Sequence, residues 1–405
     1  MFSRSFFALL AAGAALPAAA QNAPASAPAA PAAPAVATPA PMPSPIAADW
    51  SRKDAEALLA YIERLHEHGL DPADYNPAAL QGAIEAKGEA MDNIATATFL
   101  KLAGDLMFGH VRGDNRIDWH VRDDSLNAYD QQALLDRAVK GGVAETLDSL
   151  MPTHPQYAAL KTLLADPATD AKTRDRIRIN LDRWRWLPRE LGTKYVIVNV
   201  PAYTVALVEN GQTLNRRRAV AGAIKTPTPQ LSAVITGAIF NPWWEVPQSI
   251  APEVRGKKGY VSVKTEGGGV RWRQPPGPSN ALGRVKLVMG NPHAIYLHDT
   301  NARNLFNRQA RAFSHGCIRT EDAVGFAETL LEGTEWDRAR IDQTIASGKA
   351  TQANLAAPVP VYIVYFTVAA TSDGPPMSYA DMYGRDGKVL AALTDRGGTA
   401  LASGK

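Results

Sequence analysis

The hydrophobic periodicity of this chain changes once, near residue 190, and that single change constrains its architecture. From Asp49 to about Pro188 apolar residues recur at helical spacing. Leu58, Leu59, Ile62 and Leu65 fall at i, i+1, i+4 and i+7, which is one face of a helix. Gly69 is placed to end it, and Asp71-Pro72 marks a break. Thr96–Met107, Gln131–Val139 and Lys172–Trp186 carry similar stripes. From Lys194 onward the period is that of strands. Lys194–Val200 is rich in β-branched and aromatic residues, Thr204–Glu209 follows, and Asn210-Gly211 supplies a hairpin turn. Further strands are predicted at Ala233–Phe240, Val285–Met289, Ala294–His298 and Val361–Val368, with a second turn at Asp386-Gly387. Two helices interrupt them, at about Thr320–Glu332 and Glu335–Ser347. The predicted class is α+β: a helical domain over 49–190, then a mainly antiparallel β domain, sandwich-like or a barrel, over 191–392. Residues 243–283 are rich in Gly, Pro and Trp and read as a long binding loop or lid, and 393–405 as a C-terminal tail.

The start of the chain reads as an address. In residues 1–20 a single charge, Arg4, precedes an apolar run, and small residues end at Ala18-Ala19-Ala20. This is the pattern of a cleaved secretory signal peptide. Residues 21–48 are almost all Ala, Pro and Ser, a semi-extended tether. No later segment reaches 18 apolar residues, so the mature protein is expected to be exported without a membrane span. With 43 Lys plus Arg against 40 Asp plus Glu, charge gives no argument for a nucleic-acid partner. One cysteine among 405 residues excludes an internal disulfide and any Cys-rich metal site. Eight histidines leave a His/carboxylate metal site open on composition, although His66 and His68, two apart on a helix, do not share a face.

That cysteine carries the strongest chemical signal. Cys317 lies in Ser314-His315-Gly316-Cys317-Ile318-Arg319, polar company for a thiol. Thr320, Glu321 and Asp322 predict a helix start just after it. A helix N-terminus, Arg319 and a nearby imidazole would each favour thiolate. Gly316 permits a sharp turn, so that its N–H and that of Cys317 could face an oxyanion. Two histidines can serve as base: His315, two residues upstream, and His298, which ends the apolar run Ile295-Tyr296-Leu297. Spacing alone does not choose between them. Arg216-Arg217-Arg218 reads as a solvated face. Gly267-Gly268-Gly269 lacks the helix and Lys-Ser/Thr of a phosphate loop and reads as a flexible tip.

His298-Asp299-Thr300 and then Ser314–Arg319, with 18 residues between His298 and Cys317, resemble the signature of the L,D-transpeptidases, whose catalytic domain is also called YkuD. Trp184–Pro188, Asn241–Pro247, Pro276–Gly283 and Ile295–Thr300 further resemble the large Gram-negative subgroup, the YcbB type. Gly69–Tyr75 resembles that subgroup's scaffold region, so the resemblance covers about residues 50–390. It implies Cys317 as nucleophile and His298 as its base, with the Asp299 backbone carbonyl orienting the imidazole. It implies oxyanion donors at Gly316 and Cys317. Arg319 would position a substrate carboxylate or shape the thiolate field, and His315 and Ser314 would support the loop. Residues 243–283 would form a capping subdomain, with Trp243, Trp244 and Tyr296 lining the cleft. The implied reaction joins peptidoglycan stem peptides by 3→3 cross-links in the periplasm, with no metal or organic cofactor and with carbapenems as covalent inhibitors. Other wall synthases stay open as partners. An L,D-carboxypeptidase and a non-catalytic wall-binding protein are the alternatives. The order of His before Cys departs from papain-like peptidases. The chain also differs from many subgroup members between Leu164 and Lys172, where no room exists for an inserted peptidoglycan-binding module.

Overall fold

The computed structural model describes residues 48–123, 130–371 and 374–395. The signal-peptide segment, residues 21–47 of the tether and residues 396–405 of the tail lie outside the described residues.

Among the described residues seven α-helices precede the first long strand: α1 Arg52–Glu63, α2 Pro77–Ala86, α3 Gly88–Phe108, α4 Gln131–Arg137, α5 Val143–Asp148, α6 Pro155–Ala165 and α7 Ala171–Arg185. Their starts follow capping chemistry. Ser51 accepts from the Asp54 N–H at 3.1 Å, and Asp130 and Asp170 cap α4 and α7 in the same way. The apolar stripe of α1 faces inward, and Leu58, Ile62 and Leu65 are buried with Trp50, Phe99 and Leu102 in one core.

The eight main strands are β1 Lys194–Asn199, β2 Thr204–Glu209, β3 Gln212–Gly222, β4 Gln230–Phe240, β5 Val285–Met289, β6 Leu297–His298, β7 Ile318–Thr320 and β8 Thr351–Val364. Their order is β4-β8-β1-β2-β3-β7-β6-β5, and β5 pairs back onto β4, so the sheet closes on itself. Most pairings are antiparallel, as the run of hairpins predicts, but β8 lies parallel to β1 and β6 parallel to β7. The predicted strand over Ala294–His298 pairs only at Leu297 and His298, since Ala294 sits at φ +53 in a turn.

Lys194–Val200 is nearly all apolar because both faces of β1 are covered. Val196 and Val198 point into the barrel core with Val205, Leu207, Val361 and Ile363. Tyr195 faces outward with Tyr362 and Val364, against Leu160, Leu181 and Trp184 of α6 and α7. Helix α9, Ala323–Leu330, sends Val324, Phe326 and Leu330 into the barrel core.

Residues 243–283 are more regular than the sequence suggests. Trp244–Val246, Val261–Lys264 and Val270–Gln274 form a three-stranded antiparallel sheet, with the short helix α8 Ala251–Val254 beside it. The strands escape notice because they are short and bury only Val246 and Gln274. The glycine run sits at the hairpin tip, where Thr265 N–H bonds the Gly269 carbonyl at 2.9 Å. Asp386-Gly387 opens a helix rather than a turn: Asp386–Thr394 buries Val389 and Leu393 against Val111, Ile179 and Trp186. That helix reaches past residue 392, into the segment expected to be tail.

Candidate active site

Strand alternation assembles the site. Val285, Leu287 and Met289 of β5, Leu297 of β6 and Ile318 of β7 are buried in the barrel core. Their alternates therefore face out together. Register pairs His298 with Lys286 on one side and with Arg319 on the other. One pleat along, Tyr296 and Cys317 lie on that same face, two residues before His298 and Arg319 respectively. The Ile318 N–H bonds the Tyr296 carbonyl at 3.0 Å and locks this register.

His298 is buried, and its Nδ1–H donates to the Asp299 carbonyl at 2.5 Å. A carbonyl only accepts, so Nδ1 carries the proton and Nε2 keeps its lone pair. Burial, then the Arg319 charge, push the imidazole down to about 3, so it is neutral across the ordinary pH range. The Asp299 carboxylate works elsewhere. It accepts from the Arg284 N–H at 2.9 Å and from Arg303 at 3.3 Å. A side chain at Gly283 (φ +61) would meet this carboxylate at 2.5 Å, so glycine is required there.

Cys317 is partly buried, and its thiol contacts the Ala294 carbonyl at 3.6 Å. Burial pushes the thiol up, opposed by hydrogen bonds from Tyr296 and by the charges of Lys286 and Arg319. The predicted helix N-terminus is not adjacent. Strand β7 intervenes, and Asp322 at φ +45 caps α9 by accepting from the Gly325 N–H. Helix-dipole assistance to the thiolate, which decays within a turn, is therefore absent. No hydrogen bond joins Cys317 to His298 among the described residues; both rest as neutral groups on one face.

Gly316 sits at φ +112, where only glycine is unstrained, and a Cβ there would press Ile295 Cδ1 at 3.1 Å. Its N–H already donates to Ser314 Oγ at 3.1 Å, while Ser314 Oγ–H donates to the Cys317 carbonyl at 2.6 Å. Ser314 thus clamps the loop from beneath, buried rather than facing substrate. The Gly316 N–H is spent on that clamp and does not fit the expected oxyanion role. Thr228 Oγ1 adds a bond to the Gly316 carbonyl at 2.7 Å.

The aromatics divide. The Tyr296 hydroxyl meets the Cys317 thiol and the side chain of Trp244, which puts Trp244 of the cap over the site. Trp243 is largely exposed and lies under Arg273 at 4.5 Å, a packing within the cap rather than against the thiol. His315 is exposed, and its Nε2 pairs with Glu253 of α8 at 3.1 Å. It holds loop to cap. Arg319 is partly buried with Nε unpartnered among the described residues, and burial lowers its pKa. Of the triple arginine run, Arg217 pairs with Asp322 and Arg218 with Glu321, so two of the three are fixed rather than free. Lys286 was not foreseen: nothing in Val285–Met289 marks it, and only the register with His298 brings it to the site.

Residues 193–359 match the model of the L,D-transpeptidase catalytic domain, YkuD, and residues 47–164 match a Scaffold domain. The chain carries an L,D-transpeptidase catalytic domain. Among known relatives, a Haemophilus influenzae protein named "Putative L,D-transpeptidase" is 30% identical over 224 residues, 49% of this chain. The match spans 45% of that relative's length. Solved structures that the chain matches include an L,D-transpeptidase from Mycobacterium smegmatis, 12% identical over 42% of this chain and 58% of its own, TM-score 0.23. Another is L,D-transpeptidase 3 from Mycobacterium tuberculosis in complex with a faropenem-derived adduct, 12% identical over 42% and 60%, TM-score 0.24. Among the described residues no group of three His, Cys, Asp or Glu side chains could hold a metal ion. No described helix is long and apolar enough to cross a membrane.

Proposed function

We propose that this protein is an exported, periplasmic peptidoglycan L,D-transpeptidase of the large Gram-negative YcbB type. It acts on tetrapeptide stems through a Cys317 acyl-enzyme and forms 3→3 cross-links. The observation that carries this reading is Cys317 and His298 on one outward face of the barrel, beneath the Trp244 side of the cap. In the reaction, the thiol leaves the Ala294 carbonyl and passes its proton to His298 Nε2. Sulfur attacks the carbonyl carbon of the third stem residue, and the oxyanion faces the Cys317 N–H. The C–N bond breaks as the imidazolium returns the proton to the departing D-alanine amine. An amine of a second stem then attacks the thioester, gives its proton to His298 and restores the thiol. The Asp299 carbonyl keeps the imidazole oriented throughout. The cap excludes water, which favours the amine. The Scaffold match and the motifs Trp184–Pro188 and Asn241–Pro247 support the subgroup assignment.

The test is incubation of the protein lacking residues 1–20 with disaccharide-tetrapeptides, read by mass spectrometry. A dimer that has lost one D-alanine is expected, and Cys317→Ala should lower its formation by about 10³-fold or more while the fold survives. Tripeptide without dimer would make it a carboxypeptidase. Cross-linking that persists in the variant would remove the cysteine mechanism. A carbapenem, whose strained amide would acylate the same thiolate, should add its mass to the wild type and not to Cys317→Ala.

A further inference from the structure

Three side chains stand in a row across β5, β6 and β7: Lys286, His298 and Arg319. Neighbouring strands are about 4.8 Å apart, so two cations flank the neutral imidazole. They lean differently. The Arg319 side chain is partly buried, with its Nε buried and unpartnered among the described residues. The Lys286 ammonium instead reaches along the sheet toward the next pleat, where Tyr296 and Cys317 lie, and sits 4.5 Å over the Tyr296 ring. That ring supplies attraction but accepts no conventional hydrogen bond. Lys286 forms no ion pair among the described residues. The nearest acidic group of the cap, Glu245, is already held by Arg273 at 2.6 Å. Half-buried between barrel and cap, the ammonium keeps its three donors for something that enters the cleft.

We infer that Lys286 is a specificity-determining residue that receives the terminal carboxylate of the donor peptide, on the residue whose amine departs when Cys317 attacks. This rests on the transpeptidase reading. A terminal carboxylate lies three bonds from the scissile carbonyl carbon, so a cation over the Tyr296 ring is within its reach. In a stem one residue longer, the carboxylate moves a further ~3.5 Å away. The site would then read chain length through charge, admitting an acyl donor that ends one residue past the cleaved amide.

Two alkylating reagents with the same leaving group test this without any turnover. Iodoacetate carries the carboxylate and iodoacetamide does not; in each the thiolate displaces iodide. The ratio of their rates on Cys317 cancels the thiolate fraction and reports the local positive charge, of which the Lys286 variants isolate the lysine's share. Lys286→Met should lower the iodoacetate-to-iodoacetamide ratio by about tenfold, and Lys286→Arg should restore it. With tetrapeptide, Lys286→Met should raise KM far more than it lowers kcat, and KM for a C-terminally amidated tetrapeptide should rise far less than KM for the free acid. An unchanged ratio in Lys286→Met with a wild-type melting temperature overturns the proposal. Absence of any product from tetrapeptide with wild type would overturn the transpeptidase reading instead, and the alkylation ratio would still decide the role of Lys286 as a carboxylate-directing cation.

Discussion

Burial holds both Cys317 and His298 neutral at rest, and this fixes a pH signature. The imidazole is pushed down to about 3, so it remains a base as acid is added. Turnover should not show an acid limb near pH 6.5; kcat/KM measured between pH 7 and 5 should stay flat, and a fall centred near 6.5 would contradict the neutral pair. The thiol is raised from its ordinary value of 9.0, so iodoacetamide labelling in the free enzyme should keep accelerating above pH 9. Gly316→Ala should cost about 1–3 kcal/mol in stability, because its φ of +112 is strained for any side chain. Thermal unfolding with and without the change reads this directly. Cys317 and His298 were legible in the sequence because each sits in a distinctive local string. Lys286 was not, because a residue's cross-strand neighbour is set by register. The clamp of Ser314 on Gly316 was equally hidden, since it depends on the path of the turn.

Among the elements, helix α7 couples the helical part to the barrel and does so with buried polar groups. Asp182 accepts from the His110 and Val111 N–H groups at 2.6 and 3.1 Å and from Trp186 Nε1 at 2.9 Å. Asn180 exchanges hydrogen bonds with Thr367, and Arg185 donates to Tyr157 at 2.9 Å. Asp182→Ala would leave these donors buried without a partner and should destabilise by about 3–5 kcal/mol. Denaturant unfolding checks this, and a loss under 1 kcal/mol would show that the network is not essential. The apolar stripe of α7 was readable at helical spacing. Its buried charges were not, since periodicity assigns Asp and Arg to the solvent side. The cap is pinned in a similar way at its base. Asn280 Nδ2 donates to the carbonyls of Pro242 and Pro275 at 3.0 and 2.8 Å, and Asn241 Nδ2 to that of Thr344 at 2.9 Å.

Across the whole molecule, burial also depresses His68 to about 3 and His154 to about 4. An imidazole lowered in the folded state binds its proton more readily when unfolded. Stability is therefore full above pH 6.5 and falls as pH drops from there toward 4. The melting temperature should decline over that window. His68→Phe, which keeps the stack on Tyr61, should flatten the decline; an identical slope in the variant would assign the acid sensitivity elsewhere. The division into a helical and a β part was plain from periodicity, whereas the closure of the sheet was not, because β4 must pair with strands on both sides. That closure has a consequence for recognition. Each main barrel strand has neighbours on both sides, so among the described residues the barrel offers a visiting peptide no fully open edge strand, and free edges remain in the small sheet of the cap. A stem of alternating chirality would in any case make a poor additional strand, because its side chains cannot alternate as those of an all-L chain do. On the proposed reading a closed sheet and a mixed-chirality stem suit each other: the stem would be gripped by its charged ends and reactive carbonyl, and the handedness of the residues between them would go unread.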